Sequence, residues 1–551
     1  MNKKILVAAA WPYANGSLHL GHVAGLIPAD IIARYYRLKG DDVLYISGSD
    51  CHGTPITVAA QAQGVEPIEI AEQYHKEFIA TLIDGLGFSY DNYTTTLTAN
   101  HTEVVQDIFT KLYEKNLIYT KVDKLPYCPT CDRFLPDRFV EGECPHCHFK
   151  DARGDQCDNC GKLLNPNELI NPRCKTCGGT PEWRDSEHFY LKLSAMQQFL
   201  EDWSSQSTSW RPNAIGFTKK LLAEGLHDRA ITRDTTWGIP IPLPGYDDKR
   251  IYVWFEAVSG YLSASIEWAK KTDQPEAWKQ WWENNDALHY YVHGKDNIPF
   301  HTIIWPSILH GYDGLHLPDR IISSEYLTLE KEQLSKSRHW FILLKDFLES
   351  FDADTLRFYL LLSGPETGDT DFSWSDFRAR INAELIGNFG NFVNRTISIT
   401  YKNFPEGVKY PAKLSEIQTE LVDHATKCFK QIGELIEAGH LRNALREFLA
   451  LTEHCNRYFN DAAPWLSVKE DNAKAEADLA VAIQLIRCLS ILICPILPKS
   501  SENIQAQIRE DKVVKWSYPQ PFDHIVVGPA EHLYRYIEEE DINKQYSLLG
   551  K

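Results

Sequence analysis

Methionine is almost missing from this chain: its 551 residues include only 2, Met1 and Met196. Long hydrophobic runs are missing too. No stretch approaches the roughly 20 apolar residues that a bilayer crossing requires, so no membrane partner is expected. A secretory leader is not expected either. Lys3-Lys4 precedes an apolar run, but that run covers only residues 5–11. Pro12-Tyr13-Ala14-Asn15-Gly16 then stands where a small-residue cleavage site would be. The run reads as a buried strand and the protein as cytoplasmic. Basic excess is also lacking: 57 Lys and Arg face 75 Asp and Glu, a net charge of −18. That removes any global attraction to nucleic acid and leaves only local basic patches to supply one. Hydrophobic content of 43% and charged content of 24% fit a globular protein, and the length predicts about two to four domains.

Cysteine, by contrast, is plentiful and regularly spaced. Of 13 cysteines, eight form Cys-x-x-Cys pairs: Cys128/Cys131, Cys144/Cys147, Cys157/Cys160 and Cys174/Cys177. In a long chain without a leader this pattern points to metal rather than disulfides. Each pair lets two thiolates reach one ion, so eight sulfurs predict two closed structural Zn²⁺ sites. Free thiols or a redox dithiol are the alternatives. A nested pairing, inner pairs together and outer pairs together, is preferred to a sequential one.

Along the chain, a strand at 5–11, a Gly-containing turn, a helical pattern over Leu20 to Leu38 and a second buried strand at Val43-Leu44-Tyr45-Ile46 open a doubly wound α/β fold. Helices are expected near 66–84 and 102–115. Cys, Pro, Gly and Asp dominate from about 119 to 185, marking a metal-stapled insertion. The α/β texture resumes at 251–254 and 290–293. Beyond about 376 apolar residues recur at three and four spacings, as in Leu421 to Ile436 and Leu479 to Ile493, predicting an all-α helix bundle. A short helix is expected near 530–540.

Two segments carry chemistry. His19-Leu20-Gly21-His22 lies where the first strand gives way to the first helix. A helix N-terminus offers unpaired N–H groups to anions. His19 and His22, on one helical face, can donate to a triphosphate, and Gly21 lets a nucleotide approach the backbone. Incidental surface or core histidines are the plain alternative for such a short motif. The second segment is Leu334-Ser335-Lys336-Ser337-Arg338. There Lys336, flanked by hydroxyls, can neutralise a leaving pyrophosphate.

These segments resemble the HIGH and KMSKS motifs of class I aminoacyl-tRNA synthetases, with Gln333 in place of the first KMSKS lysine. Pro12-Tyr13-Ala14-Asn15-Gly16, Asp50-Cys51-His52-Gly53-Thr54-Pro55, Phe134-Leu135-Pro136-Asp137-Arg138, Arg184-Asp185-Ser186-Glu187-His188, Tyr252-Val253-Trp254 and Gly294-Lys295-Asp296 resemble methionyl-tRNA synthetases in particular. Val258 and Asn297 depart from the common bacterial pattern and resemble an archaeal-like second form found in some bacteria. The roughly 115 residues between the sheet halves are too few for the editing insertion of the isoleucine, leucine and valine enzymes.

The resemblance implies a Rossmann-like parallel-sheet catalytic domain with a zinc-knuckle insertion, followed by a helical anticodon-binding domain. The implied divisions are 1–116, 117–232, 233–325, 326–375, 376–515 and 516–551. The first and third are the halves of the catalytic domain, the second is the insertion, and the fourth is the stem-contact segment with the KMSKS-like loop. The fifth is the anticodon bundle, and the sixth is a tail returning to the catalytic domain.

The implied methionine pocket is Trp11, Tyr13, Asp50, Trp254, Ala257, Val258, Tyr261 and His301, with Asp50 on the ammonium. Aromatic walls suit an apolar, polarizable thioether, although core packing is the commoner fate of such residues. Implied for ATP, with Mg²⁺, are His19, Gly21, His22, Gly294, Asp296, Ser335, Lys336 and Ser337. Arg233 joins His19, His22 and Lys336 in activation. Asn391, Arg395 and Trp465 are implied to read the tRNA(Met) anticodon by stacking and edge contacts. The expected activity is methionine–tRNA ligation by a monomer. Scarce methionine would suit a protein that maintains methionyl-tRNA supply. The rivals are an adenylate-forming enzyme of related fold that does not use tRNA, and a zinc-dependent RNA-binding protein with an inactive site.

Overall fold

The computed structural model describes residues 2–550 apart from 136–138, 155, 156, 158, 161, 163, 165, 336 and 337. The expected buried strand is β1 (Lys4–Ala9), followed by α1 (Leu20–Lys39) and β2 (Asp42–Ser49). Helix α1 ends where Gly40 adopts a left-handed conformation at φ 93 and its N–H returns to the carbonyls of Tyr36 and Arg37. β3 (Asn92–Thr95) follows. After the insertion come α2 (Val253–Lys271), β4 (Leu288–Gly294) and β5 (Arg320–Ser324). The sheet is parallel throughout, in the order β5-β4-β1-β2-β3. Strand order reverses between β1 and β4, and open α/β sheets bind ligands at such a point, beyond the carboxyl ends of the strands.

Several expectations need adjustment. Residues 251–254 are not one strand. A short strand ends at Ile251 and Val253 already begins α2. The helix expected over 66–84 is Pro67–Phe78 continued by a wider turn, Ile79–Gly85. The insertion is built on a long antiparallel pair, Ile118–Cys128 with Glu182–Leu191, running from Ile118↔Leu191 to Tyr127↔Glu182. Near the end, the helix expected at 530–540 forms later, at Glu539–Tyr546. The preceding stretch is extended because Asn382 satisfies its backbone: the Ile537 N–H donates to Asn382 Oδ1 (3.0 Å) and Asn382 Nδ2 donates to the Ile537 carbonyl (2.9 Å).

The bundle includes Glu416–Glu437, Leu441–Ala462 and Asn472–Ile493. Its apolar core is continuous with the α1 face of the sheet through Ala353–Ser363. A second core lies on the other face, beneath α2. Within the shared core, Arg357 donates to Asp30 at 2.7 Å with both side chains fully buried. Its guanidinium also reaches the carbonyls of Ile496 (2.7 Å) and Pro495 (3.2 Å). Burial alone would raise the Asp30 carboxyl, but the Arg357 and Arg34 charges outweigh it and hold Asp30 below the usual carboxylate range.

Removing one partner of such a pair strands a buried charge. Arg357→Leu is expected to cost about 3 kcal/mol in chemical denaturation. The pair's contribution is fully present above the usual carboxylate pKa and is lost as pH falls through the lowered folded value. The stability gap between wild type and variant is therefore expected to narrow in acid.

Candidate active site

His19 caps α1 with extended backbone, φ −116 and ψ 168. Its N–H donates to His22 Nδ1 at 3.2 Å, and the two rings stack with centroids 3.8 Å apart. Because Nδ1 is the acceptor, a neutral His22 ring carries its proton on Nε2. No acidic residue lies in the first turn of α1, so nothing there offsets its positive end. The two imidazoles predicted to share a face therefore sit together at a helix mouth suited to an anion.

The second segment meets the first directly. Leu20 N–H donates to the Ile342 carbonyl (3.1 Å) and Leu344 N–H to the Leu18 carbonyl (2.8 Å). Ser335 and Trp340 exchange backbone hydrogen bonds at 2.9 Å, closing a tight loop. A Cβ added at Gly21 would lie 2.8 Å from Leu334 Cδ1, so the glycine lets this leucine pack directly against the first turn of α1. Lys336 and Ser337 lie outside the described residues. Gly25, one turn along α1, faces β4: its Cβ would lie 3.8 Å from the Gly294 nitrogen. The space beside Gly294 itself is open. Asp296 is exposed just beyond and accepts a hydrogen bond from the Tyr326 hydroxyl.

The aromatic slot lies on the other face. His301 Nδ1–H donates to the Asn297 carbonyl at 2.8 Å, which leaves Nε2 as an acceptor for the Tyr261 hydroxyl at 2.7 Å. Burial lowers the His301 ring to about 4, so it is neutral near pH 7 and has no proton to offer from Nε2. The Asn297 carbonyl thus fixes this polarity: Nε2 accepts and does not donate. His293, missed in the sequence, stacks on His301 at 4.1 Å. Trp254 packs edge-on against Phe300 at 5.0 Å. Val258 is buried and Ala257 half-buried on the same helix. The Trp11 ring packs against two glycines: a Cβ added at Gly48 or Gly260 would meet it at 2.6 or 2.9 Å.

Tyr13 and Asp50 are bridged as neighbouring extended residues. Asp50 is almost fully buried, and burial with the nearby Glu256 charge pushes its carboxyl well above the usual range. A cationic group would reverse that shift. Arg233 lies over the Tyr252 ring at 3.7 Å and donates to the carbonyls of Ala230 (3.1 Å) and Thr232 (2.9 Å). With Trp254 and Tyr190 it lines a cavity of about 180 Å³ between the insertion and the start of α2.

The cysteines form two sets, Cys128/Cys131/Cys174/Cys177 and Cys144/Cys147/Cys157/Cys160. This is the nested pairing. Sulfur separations include 3.4 Å (Cys128–Cys177), 3.8 Å (Cys131–Cys174) and 3.5 Å (Cys147–Cys157). A tetrahedral zinc with Zn–S of about 2.3 Å sets its sulfurs about 3.8 Å apart, so both sets fit the ion. In the bundle, Arg395 lies 4.9 Å over Trp465 and donates to Asn460 Oδ1 at 3.0 Å. Asn391, one turn earlier on the same helix, is exposed.

A family profile described as tRNA synthetases class I (M) matches residues 5–397, and one described as the anticodon binding domain of methionyl tRNA ligase matches 405–544. The chain belongs to the methionyl-tRNA synthetase family. A methionine–tRNA ligase of Dehalococcoides mccartyi is 46% identical over 554 aligned positions, covering 100% of both chains. One from Thermomicrobium roseum is 49% identical over 92% of this chain and 86% of its own. The methionyl-tRNA synthetase of Mycobacterium tuberculosis, solved with methionyl-adenylate, superposes with a TM-score of 0.79 at 23% identity, covering 97% of this chain and 100% of that one. That likeness supports the fold. Among the described residues, no helix of this synthetase-family chain is long and apolar enough to cross a membrane.

Native mass spectrometry is expected to find two zinc ions per chain, one for each cysteine set. Cys144→Ser is expected to remove one of them and to leave far-ultraviolet dichroism of the helical region unchanged.

Proposed function

We propose that the chain activates L-methionine with ATP and transfers it to the terminal adenosine of tRNA(Met). The observation that carries this reading is the contact between the His19–His22 helix mouth and the loop around Leu334, with the Tyr261–His301 slot across the sheet edge. Asp50 holds the ammonium, and Trp11, Tyr13, Trp254, Ala257, Val258 and Tyr261 enclose the side chain. The Tyr261 hydroxyl proton is engaged by His301 at 2.7 Å, so its ring supplies an aromatic wall.

The methionine carboxylate attacks the α-phosphate in line. A carboxylate–phosphorus bond forms, the bond to the β-phosphate oxygen breaks, and pyrophosphate leaves. His19, His22 and Lys336 stabilise charge on the phosphates, Arg233 assists, and Ser335 and Ser337 flank the lysine. Mg²⁺ bound to ATP would share the phosphate charge with these residues. Gly294 and Asp296 receive the ribose. The tRNA hydroxyl then attacks the activated carbonyl, loses its proton and releases AMP. The two cysteine sets would hold zinc in a structural role, since closed Cys₄ sites leave no position for water. In this reading 376–515 is the anticodon domain, 516–551 returns to the catalytic domain, and the chain acts as a monomer.

Pyrophosphate exchange with a panel of amino acids tests the proposal. Exchange dependent on methionine is expected, and exchange with none of them would reject it. Lys336→Ala is expected to slow adenylate formation by about 10²- to 10³-fold with methionine binding nearly intact. Equal loss of both would make Lys336 structural. Trp465→Ala is expected to weaken tRNA charging by about 1–3 kcal/mol, the worth of one stacked base, and to leave exchange unchanged.

A further inference from the structure

Asp50 is held from two sides. On one side its backbone is tied to the segment after β1: its N–H donates to the Pro12 carbonyl at 2.9 Å and its carbonyl accepts from Ala14 at 2.8 Å. On the other side the chain turns at Gly53, where φ is +90 and a Cβ would meet Val253 Cγ1 at 3.2 Å. The turn is fastened by a side-chain pair that the proposed mechanism does not use. His52 Nδ1–H donates to Glu256 Oε1 at 2.9 Å and Oε2 at 3.1 Å. Glu256 is fully buried in the first turn of α2, between Trp254 and Ala257. Trp237 reinforces the turn, donating its indole N–H to the Cys51 carbonyl at 3.0 Å and meeting the His52 ring edge-on at 5.4 Å. The backbone N–H of His52 lies 3.4 Å from Asp50 Oδ1.

A carboxylate buried without a partner is costly. Glu256 escapes that cost through the helix N-terminus and the His52 ring. It lies inside the helix that lines the amino-acid slot, so its hydrogen bonds couple the slot wall to the turn carrying the ammonium partner.

We propose that Glu256 is a positioning residue for the substrate ammonium. It clamps His52, His52 fixes the turn that aims Asp50, and amino-acid affinity depends on a carboxylate that does not itself touch the substrate. The proposal rests on the reading of Asp50 as the ammonium partner.

The groups facing this cluster are Cys51 and His52 on the turn and His101 from the helix Ala99–Glu114. After burial, the Glu256 charge is the main influence holding the Asp50 carboxyl up. Removing that charge lets Asp50 ionise at lower pH.

Steady-state exchange kinetics with Glu256→Gln test the idea. KM for methionine is expected to rise about tenfold, with KM for ATP and kcat nearly unchanged, because the loss falls on binding. The acid limb of kcat/KM for methionine is expected to move to lower pH, an effect that a packing defect would not produce. His52→Gln is expected to raise KM for methionine in the same way. Should Glu256→Gln fail to fold, Glu256→Asp and His52→Gln carry the comparison.

A folded Glu256→Gln with unchanged KM for methionine and an unmoved acid limb would overturn the proposal. So would a parallel loss of kcat and of both KM values together with a lowered Tm. Failure of the wild-type enzyme to exchange with methionine would instead remove the reading of the site itself, so the two failures are distinguishable.

Discussion

A single buried guanidinium organises the molecule. Arg357 joins Asp30 in the middle of α1 to the chain that follows the last long bundle helix, through the Pro495 and Ile496 carbonyls. Asp30 also accepts from Arg34 and, at 2.8 and 2.7 Å, from the backbone and hydroxyl of Ser89. Few positions in a protein fold can hold an ion pair with no exposure at all. This one is possible because both Asp30 oxygens and all three Arg357 guanidinium nitrogens find hydrogen-bond partners. The consequence is a beam: α1 runs from the histidines at its N-terminus to the helical region at its C-terminus. There Tyr35 donates to Glu437 at 2.7 Å and Trp516 N–H donates to the Leu38 carbonyl at 2.7 Å.

The beam explains how one helix mouth can face two partners. Leu18 and Leu20 are stitched to 342–344, which brings the polar loop alongside, while Gly25 brings β4 and Gly294 alongside. The same strand carries His293, which stacks on His301, so the histidine pair at the helix mouth and the aromatic slot are spaced by the sheet register rather than by loops. Rigid spacing of this kind is what in-line attack requires, since small misplacement costs much of the rate.

Much of this arrangement is legible in the residues alone, for physical reasons. β1 announces itself because both faces of a central parallel strand are buried and its run is continuously apolar. The cysteine sets are legible because Cys-x-x-Cys turns have few other uses. Other features are hidden. A glutamate within an amphipathic helix reads as a solvated residue, so Glu256 and its bond to His52 could not be seen without the turn that faces it. The long pair Ile118–Cys128 and Glu182–Leu191 is masked because many of its side chains are exposed and its partners lie more than fifty residues apart. The extended stretch before Glu539 is shaped by Asn382, a tertiary contact that no local pattern encodes. The polarity of the Tyr261–His301 pair depends on one backbone carbonyl, that of Asn297.

The central claim is that α1 and the helical bundle share one cooperative core pinned at Asp30 and Arg357. Native-state hydrogen exchange tests it most directly, because it reports the opening free energy of each helix separately. Amides in the middle turns of α1 and those of Asn472–Ile493 are expected to exchange with the same free energy, through global opening. Middle turns of α1 exchanging at far lower free energy, while the bundle stays protected, would contradict it.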